Sequence, residues 1–354
     1  MKILVGMSGG IDSSAAALLL KQAGHEVIGA TMSLYNARNP ISSSMSGTAC
    51  FGPSESVTIS EARSVCEQLN IPFHVIDCSI EYEQFVLDNF TDEYKEGRTP
   101  NPCVWCNSYI KFGALLDGAR KSGIEFDAYA TGHYVKVVNY NNRFALAAAD
   151  DAHKDQSYFL YRLRQDQLAS TIFPLGGMTK VQSKEIGMNH GLFGSQKKES
   201  QDFYSGHYTD LIDWEDRKGN IVTIQGDFLG EHRGYWHYTI GQRRGLGVSS
   251  DRPLYVVSIN AEDNTVIVGY EEETYTHTLI SHSPSWMAIE DLYEPLEVIA
   301  KIRSTSSGAP AVIKRIEDNR IEVSFKEKQQ AITSGQSVVF YNNDKIILGG
   351  AIIE

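Results

Sequence analysis

The sequence predicts an α/β protein: a parallel sheet domain over residues 1–205, a small central domain over 206–280 and a C-terminal β-barrel over 281–354. Two observations carry this prediction. Early in the chain, short apolar runs alternate with helix-patterned runs, the signature of βαβ units whose parallel sheet is covered on both faces. From Ile221 onward the pattern becomes short apolar or alternating runs separated by turn residues, the spacing of a small barrel or sandwich.

In chain order, Lys2–Val5 is a short apolar strand, a glycine-rich turn follows, and Ser13–Ala23 (SSAAALLLKQA) is a helix closed by Gly24. Glu26–Leu34 reads as a second buried strand, Val57–Asn70 as a helix and Phe73–Cys78 as a third strand. Residues 35–55 are polar, small and rich in turn formers, and a loop of that length in a compact domain is usually functional or mobile. Gly113–Lys121 is helical by pattern, and Asp127–Gly132 is a strand that runs into a Gly-His turn. Later, Leu254–Ile259, Thr265–Val268, Leu296–Ile302, Ala311–Ile316, Ile321–Phe325, Ser337–Tyr341 and Ile346–Ile353 read as strands.

Composition narrows the function. The 354 residues include 32 Lys or Arg and 44 Asp or Glu, a net charge of −12. That balance argues against a protein that coats nucleic acid non-specifically, and it requires any RNA grip to be local. No apolar run approaches the roughly 20 residues of a membrane span. The start lacks the apolar core of a secretory leader, so a cytoplasmic location with no membrane partner is expected. Five cysteines in that compartment are more often catalytic, metal-bound or buried than disulfide-paired.

The strongest local signal is Gly6-Met7-Ser8-Gly9-Gly10-Ile11-Asp12-Ser13, which follows a strand and opens a helix. Glycines let the backbone approach phosphate oxygens, and successive N–H groups with the helix N-terminus supply an anion site. Asp12 beside phosphates implies a bridging divalent cation, so it is a candidate Mg²⁺ partner. No Gly-Lys-Ser/Thr closes the loop and no G-x-G-x-x-G is present, which sets it apart from the Walker and dinucleotide patterns. It resembles the SGGxDS loop of the PP-loop ATP pyrophosphatases, which implies ATP bound on Gly6–Ser13 and activation of a carbonyl oxygen by adenylation.

The second signal is Thr99-Pro-Asn101-Pro102-Cys103-Val-Trp-Cys106-Asn107. A Cys-x-x-Cys pair puts two sulfurs within reach of one metal or of each other. Three readings compete. The thioredoxin-like context of a redox dithiol is missing, and a closed zinc site lacks a second ligand pair. An iron–sulfur cluster held by three cysteines needs one more thiolate, for which Cys50 in the long polar loop is the natural choice. Cys66, within a helical pattern, and Cys78, at a strand end, read as inert buried residues.

Further segments carry a family resemblance: Ile110-Lys111-Phe112, Ala130-Thr-Gly-His-Tyr134, Lys154-Asp155-Gln156-Ser-Tyr-Phe-Leu160 and Tyr238-Thr-Ile-Gly-Gln-Arg-Arg-Gly-Leu-Gly247. With the phosphate loop and Cys106-Asn107, they are similar in sequence and order to the tRNA-specific 2-thiouridylases. The resemblance implies ATP-dependent replacement of O2 by sulfur at the wobble uridine of a tRNA partner. It places Met32 and Gly132 beside the nucleotide, and Asn101, Pro102, Lys154, Asp155, Gln156 and Arg303 at the tRNA. Cys106, Cys103 and Asp12 are the candidate catalytic set, the two thiols for sulfur handling and Asp12 for the divalent cation. Two departures stand out. The family has Asp where this chain has Cys103, and a persulfide-bearing cysteine where this chain has Tyr204; no cysteine follows Cys106. Cluster-dependent thiolases of the wider superfamily use three cysteines, and Cys50, Cys103 and Cys106 resemble that set, which implies a [4Fe–4S] cluster. Sulfur is then expected from sulfide or from a sulfur-carrier or desulfurase partner. The alternatives are a Cys106 persulfide resolved by Cys103, or another PP-loop adenylating ligase.

Overall fold

The computed structural model describes residues 1–35, 50–52, 55–192, 203–204, 208–212 and 214–354. Most of the polar loop expected at 35–55 lies outside the described residues. The first domain is built from β1 (Lys2–Gly6), α1 (Ile11–Gln22), β2 (Glu26–Ser33), α2 (Glu55–Gln68) and β3 (Phe73–Asp77). Next come α3 (Ser79–Tyr82), a π-helix (Glu83–Leu87) and α4 (Asp88–Lys95). Then follow α5 (Pro102–Trp105), a second π-helix (Cys106–Ala114), α6 (Leu115–Lys121) and β4 (Ala128–Ala130). The hairpin β5 (Val135–Tyr140)–β6 (Arg143–Ala148) leads through α7 (Gln165–Ala169) to β7 (Thr171–Ile172) and α8 (Lys180–Asn189).

The sheet runs β3-β2-β1-β4-β7, every pair parallel. The chain winds outward from β1 to β3 and then crosses back to β4, so its direction reverses between β1 and β4. Such a reversal opens a crevice at the carboxyl ends of the strands, where open α/β sheets bind ligands. Helix α1 is buried at Ile11, Ala15–Leu18 and Leu20 because it packs between the sheet and α8, which explains its lack of a polar face. Gly29 in β2 lets α2 press close: a Cβ there would stand 2.6 Å from Cys66 Sγ. Where the sequence pattern gives a helix only from Gly113, the helix begins at Pro102, whose fixed φ and missing N–H suit a first-turn position. It is wound as a π-helix across Cys106–Ala114, and this widened turn blurs the 3.6-residue pattern.

The second sheet has the order β10-β11-β8-β9, from β8 (Gly219–Thr223), β9 (Phe228–His232), β10 (Tyr255–Asn260) and β11 (Thr265–Gly269). It is tied to the first domain where Tyr235 Oη donates to the Lys95 carbonyl at 2.7 Å. The third unit is a closed six-stranded barrel in the order β12-β15-β14-β13-β16-β17. Its strands are β12 (Tyr275–Trp286), β13 (Leu296–Lys301), β14 (Ala309–Glu317), β15 (Arg320–Gln330), β16 (Ser337–Tyr341) and β17 (Ile347–Ile353). Strand β12 has no counterpart in the sequence reading, because its Thr, Ser and His residues dilute the apolar alternation.

Strands β16 and β17 are buried on both faces, since their outer side packs on the first domain. Tyr158 Oη donates to the Ser337 carbonyl at 2.7 Å, and a Cβ on Gly350 would meet the Tyr161 ring at 2.6 Å. Gln336 Nε2 donates to the Thr99 and Pro100 carbonyls at 2.9 and 3.0 Å, pinning the approach to the Cys-x-x-Cys segment. The aromatic run Tyr158–Tyr161 is therefore the core of a domain junction. No helix among the described residues is long and apolar enough to cross a membrane.

Candidate active site

The loop after β1 has the shape its sequence requires. Gly9 takes φ +67°, and a Cβ there would stand 2.9 Å from the Ala62 nitrogen, so only glycine fits. Helix α1 carries no side-chain cap at Gly10, which leaves its first amides facing the crevice as an anion site. Ser13 Oγ accepts from the Ser8 amide at 3.2 Å and stands 3.2 Å from Ser8 Oγ, while Ser14 Oγ donates to the Gly10 carbonyl at 2.7 Å. The turn is thus braced by its own hydroxyls. Gly132, after β4, closes on it from the other side: a Cβ would lie 2.6 Å from the Asp12 carbonyl carbon and 2.7 Å from the Ser13 nitrogen. Gly6, Met7, Gly10 and Ile11 complete the loop, and Met32 lies half-buried near the end of β2. The loop residues and Gly132 therefore gather at the reversal between β1 and β4, while Met32 lies on the neighbouring strand β2.

Asp12 has a partner that sequence reading missed. Lys180, first residue of α8, donates from Nζ to Oδ1 at 2.7 Å and Oδ2 at 2.9 Å. Tyr134 Oη donates to Oδ1 at 2.9 Å and stands 2.5 Å from Ser183 Oγ. The Asp12 charge, expected to meet Mg²⁺, is neutralised here by an ammonium whose side chain is only 13% exposed. No pattern links positions 168 residues apart; the one local signal is the Thr179–Gln182 capping box that fixes where α8 begins.

The cysteines divide as expected. Cys66 and Cys78 are buried, and desolvation pushes each thiol up to about 12. Cys50 is exposed, while Cys103 and Cys106 are half-buried at the start of the α5/π-helix run. Desolvation pushes the Cys106 thiol up to about 12; Lys111 opposes the rise, and Cys50 and Cys103 add to it. Desolvation weighs against the Lys111 ammonium, yet Cys106, Cys50 and Cys103 outweigh it and the net shift is upward. Three thiols and one lysine therefore share one electrostatic neighbourhood. Desolvation, then Lys111, hold His133 well below the usual imidazole range, so it is neutral, with Nδ1 2.8 Å from Thr131 Oγ1. The link back to the phosphate loop is Tyr129 in β4. Its Oη stands 2.6 Å from where a Gly6 Cβ would be, and Cys106 and Cys78 add to the desolvation that raises its phenol. Among the described residues, no group of three or more His, Cys, Asp or Glu side chains is placed to hold a metal ion.

On the other side of the loop lies a cleft of about 990 Å³, lined by Ser8, Gly10 and Asp12, by Lys154, Asp155 and Gln156, and by barrel residues that include Lys301 and Lys345. Asp155 is turned into the protein: its carboxylate accepts from the Ala149 amide at 3.1 Å and Ser157 Oγ at 2.8 Å, and faces Lys301 Nζ at 3.6 Å. Gln156 Oε1 accepts from the Tyr134 amide at 2.9 Å, so it braces the Asp12 partner. Asn101 is buried beside Tyr158, and Pro102 opens α5. Arg303 is exposed, with Nη2 donating to the Gln330 and Ala331 carbonyls at 3.0 and 2.6 Å.

The sequence matches the family profile of the tRNA methyl transferase HUP domain over residues 1–217, that of the tRNA methyl transferase PRC-barrel domain over 213–270, and that of the aminomethyltransferase beta-barrel domain over 276–353. It is 46% identical to the tRNA-specific 2-thiouridylase MnmA of Endomicrobium trichonymphae, covering 100% of this chain and 99% of that protein. It is 41% identical, with the same coverage, to the protein of the same name from Lachnoclostridium phytofermentans. The chain belongs to the tRNA-specific 2-thiouridylase family. Among solved structures it is similar to NMN synthetase from Francisella tularensis, with 18% identity, a TM-score of 0.34 and coverage of 60% of this chain and 75% of that one.

Within the thiouridylase family frame, Tyr204 takes on meaning. It forms a parallel bridge with Phe51, whose amide donates to the Phe203 carbonyl at 2.9 Å, and Phe51 stacks on Tyr82 at 5.0 Å. The position where the resemblance expects a cysteine thus adjoins the segment that carries Cys50.

Proposed function

We propose that this chain is an ATP-dependent tRNA sulfurtransferase that replaces O2 of the wobble uridine by sulfur through an adenylated base. The observation that carries the reading is the approach of the Cys106 thiol to the phosphate cradle after β1 through Tyr129 of β4, in a chain that matches thiouridylases end to end.

The uridine O2 attacks the α-phosphorus of ATP, N3 gives up its proton, and pyrophosphate leaves. The α1 N-terminus and the Lys180 ammonium face the charge that shifts during this step. A divalent ion accompanying ATP would fall to Asp12, which fits one only by exchanging Lys180 onto the phosphates. A persulfide on Cys106 then attacks C2 with its terminal sulfur, and AMP departs carrying the former O2. The Cys103 thiolate attacks Cys106 Sγ, forming the Cys103–Cys106 disulfide and releasing the other sulfur as the C2 thione, with the proton returned to N3. An external dithiol reduces the disulfide, and a persulfide donor reloads Cys106. Asn101, Pro102, Lys154 and Arg303 serve the tRNA, while Asp155 and Gln156 position the residues around it.

The second route carries sulfur on a [4Fe–4S] cluster at Cys50, Cys103 and Cys106. The three sulfurs share a neighbourhood, but the described residues offer no trio in ligand geometry, so no step is routed through a cluster. The experiment is thiolation of unmodified tRNA by anaerobically purified protein with ATP and a persulfide donor. The thiol route predicts 2-thiouridine with iron and acid-labile sulfide near zero. A stoichiometric cluster whose removal abolishes thiolation overturns the thiol route. Pyrophosphate release with no sulfur in the tRNA overturns the reading as a whole.

A further inference from the structure

Beside the Cys-x-x-Cys pair, four flat side chains from three elements lie face to face. Phe85 stacks on Tyr109 with centroids 4.8 Å apart and planes 12° apart. Tyr109 stacks on Trp105 at 5.5 Å and 19°. The Arg162 guanidinium lies 4.9 Å above the Trp105 ring. Trp105 sits between the two cysteines in sequence, and Tyr109 follows one turn later on the same helix. All four side chains are half-buried and reach solvent. Core aromatic pairs here include both stacked ones, such as Phe51–Tyr82 at 30°, and edge-to-face ones, such as Phe112–Tyr129 at 84°; in this cluster three half-buried rings and a guanidinium lie in one column. Among the described residues Arg162 forms no ion pair with a carboxylate; its Nη1 donates to the Ser283 carbonyl at 3.4 Å. A half-buried cation without a counter-ion is costly to keep unless something anionic meets it.

Resting on the tRNA reading above, we propose that the Phe85–Tyr109–Trp105–Arg162 stack is a base platform on which an unpaired anticodon-loop nucleotide next to the target uridine stacks, with Arg162 meeting its phosphate. Single-stranded RNA is recognised in this way, by splayed bases on aromatic rings and guanidinium planes, because every base offers a π-face whatever its hydrogen-bonding edge. The platform adjoins Cys106, so stacking the neighbour holds the target base out of its own stack and beside the thiol. It also supplies local affinity in a protein whose net charge of −12 repels RNA at long range.

The test uses the full-length protein and an anticodon stem-loop RNA, intact or with an abasic site on either side of the target uridine. One abasic substitution is expected to weaken binding by about 5- to 150-fold, the range for one lost base stack. Trp105→Leu and Arg162→Met each weaken the intact RNA, and neither adds to the abasic loss. Equal binding of intact and abasic RNAs overturns the platform, as does a Trp105→Leu loss that simply adds to the abasic loss. The RNA-side change keeps the test decisive if Trp105→Leu fails to fold. Wild-type protein that binds no intact stem-loop overturns the tRNA reading instead.

Discussion

Replacing Lys180 by Met tests the ion pair that the sequence concealed. The variant keeps the length and apolar stem of the side chain but leaves the Asp12 carboxylate, among the described residues, with the Tyr134 hydroxyl at 2.9 Å. The pair has two contacts, at 2.7 and 2.9 Å, and side chains 13% and 31% exposed, so it lies between a surface pair and a buried one. Surface pairs contribute about 0.2–1 kcal/mol and breaking a buried one costs about 3–5 kcal/mol, which brackets this loss at about 2 kcal/mol. For a domain of about 200 residues that is a fall in Tm of about 4–8 °C. The orphaned carboxylate also faces the triphosphate, so KM for ATP in pyrophosphate release rises at least about tenfold, the equivalent of about 1.4 kcal/mol. Adding Asp12→Asn to Lys180→Met returns most of the stability and none of the activity, because the unpaired charge is gone while the cation is still missing. A single variant that melts within 1 °C of wild type with an unchanged KM would refute the assignment.

Other residues give independent outcomes. Gly132→Ala puts a methyl 2.6 Å from the Asp12 backbone, so ATP affinity falls at least about tenfold while the barrel, whose strands the change does not touch, keeps its proteolytic resistance. Tyr158→Phe removes the 2.7 Å bond to Ser337 at the buried domain junction and lowers chemical-denaturation stability by about 1–2 kcal/mol. Burial pushes the Cys106 thiol up to about 12, so only the small thiolate fraction reacts, and its alkylation rate rises about tenfold per pH unit between pH 7 and 10. Lys111→Met removes an influence that opposes this rise, so labelling of Cys106 at a fixed pH slows; faster labelling counts against the assigned pairing.

Much of the catalytic end was legible in the sequence because its chemistry is local. The glycines and serines of residues 6–13 must be contiguous to cradle phosphate, and the Cys-x-x-Cys spacing must be short to bring two sulfurs together. Cys66 and Cys78 were readable as core residues from their patterned surroundings. What was not legible depends on distant pairing. Lys180 reaches Asp12 only because α8 packs on α1. Asp155 and Gln156 read as RNA contacts, yet their side chains are taken up by the Ser157, Lys301 and Tyr134 groups that the fold brings to them. The π-helix hides in the sequence because the alternation that marks a helix assumes the narrower α turn.

In the proposed reaction, O2 of the uridine leaves as part of AMP. Unmodified tRNA carrying ¹⁸O at uridine O2, incubated with the protein, ATP and a persulfide donor, tests this directly by mass spectrometry of both products. One ¹⁸O is expected in the phosphate of each AMP formed, with one sulfur at C2 of the wobble uridine, in equal amounts. Label appearing in water or kept in the thiolated tRNA, with unlabelled AMP, would contradict the proposed reaction.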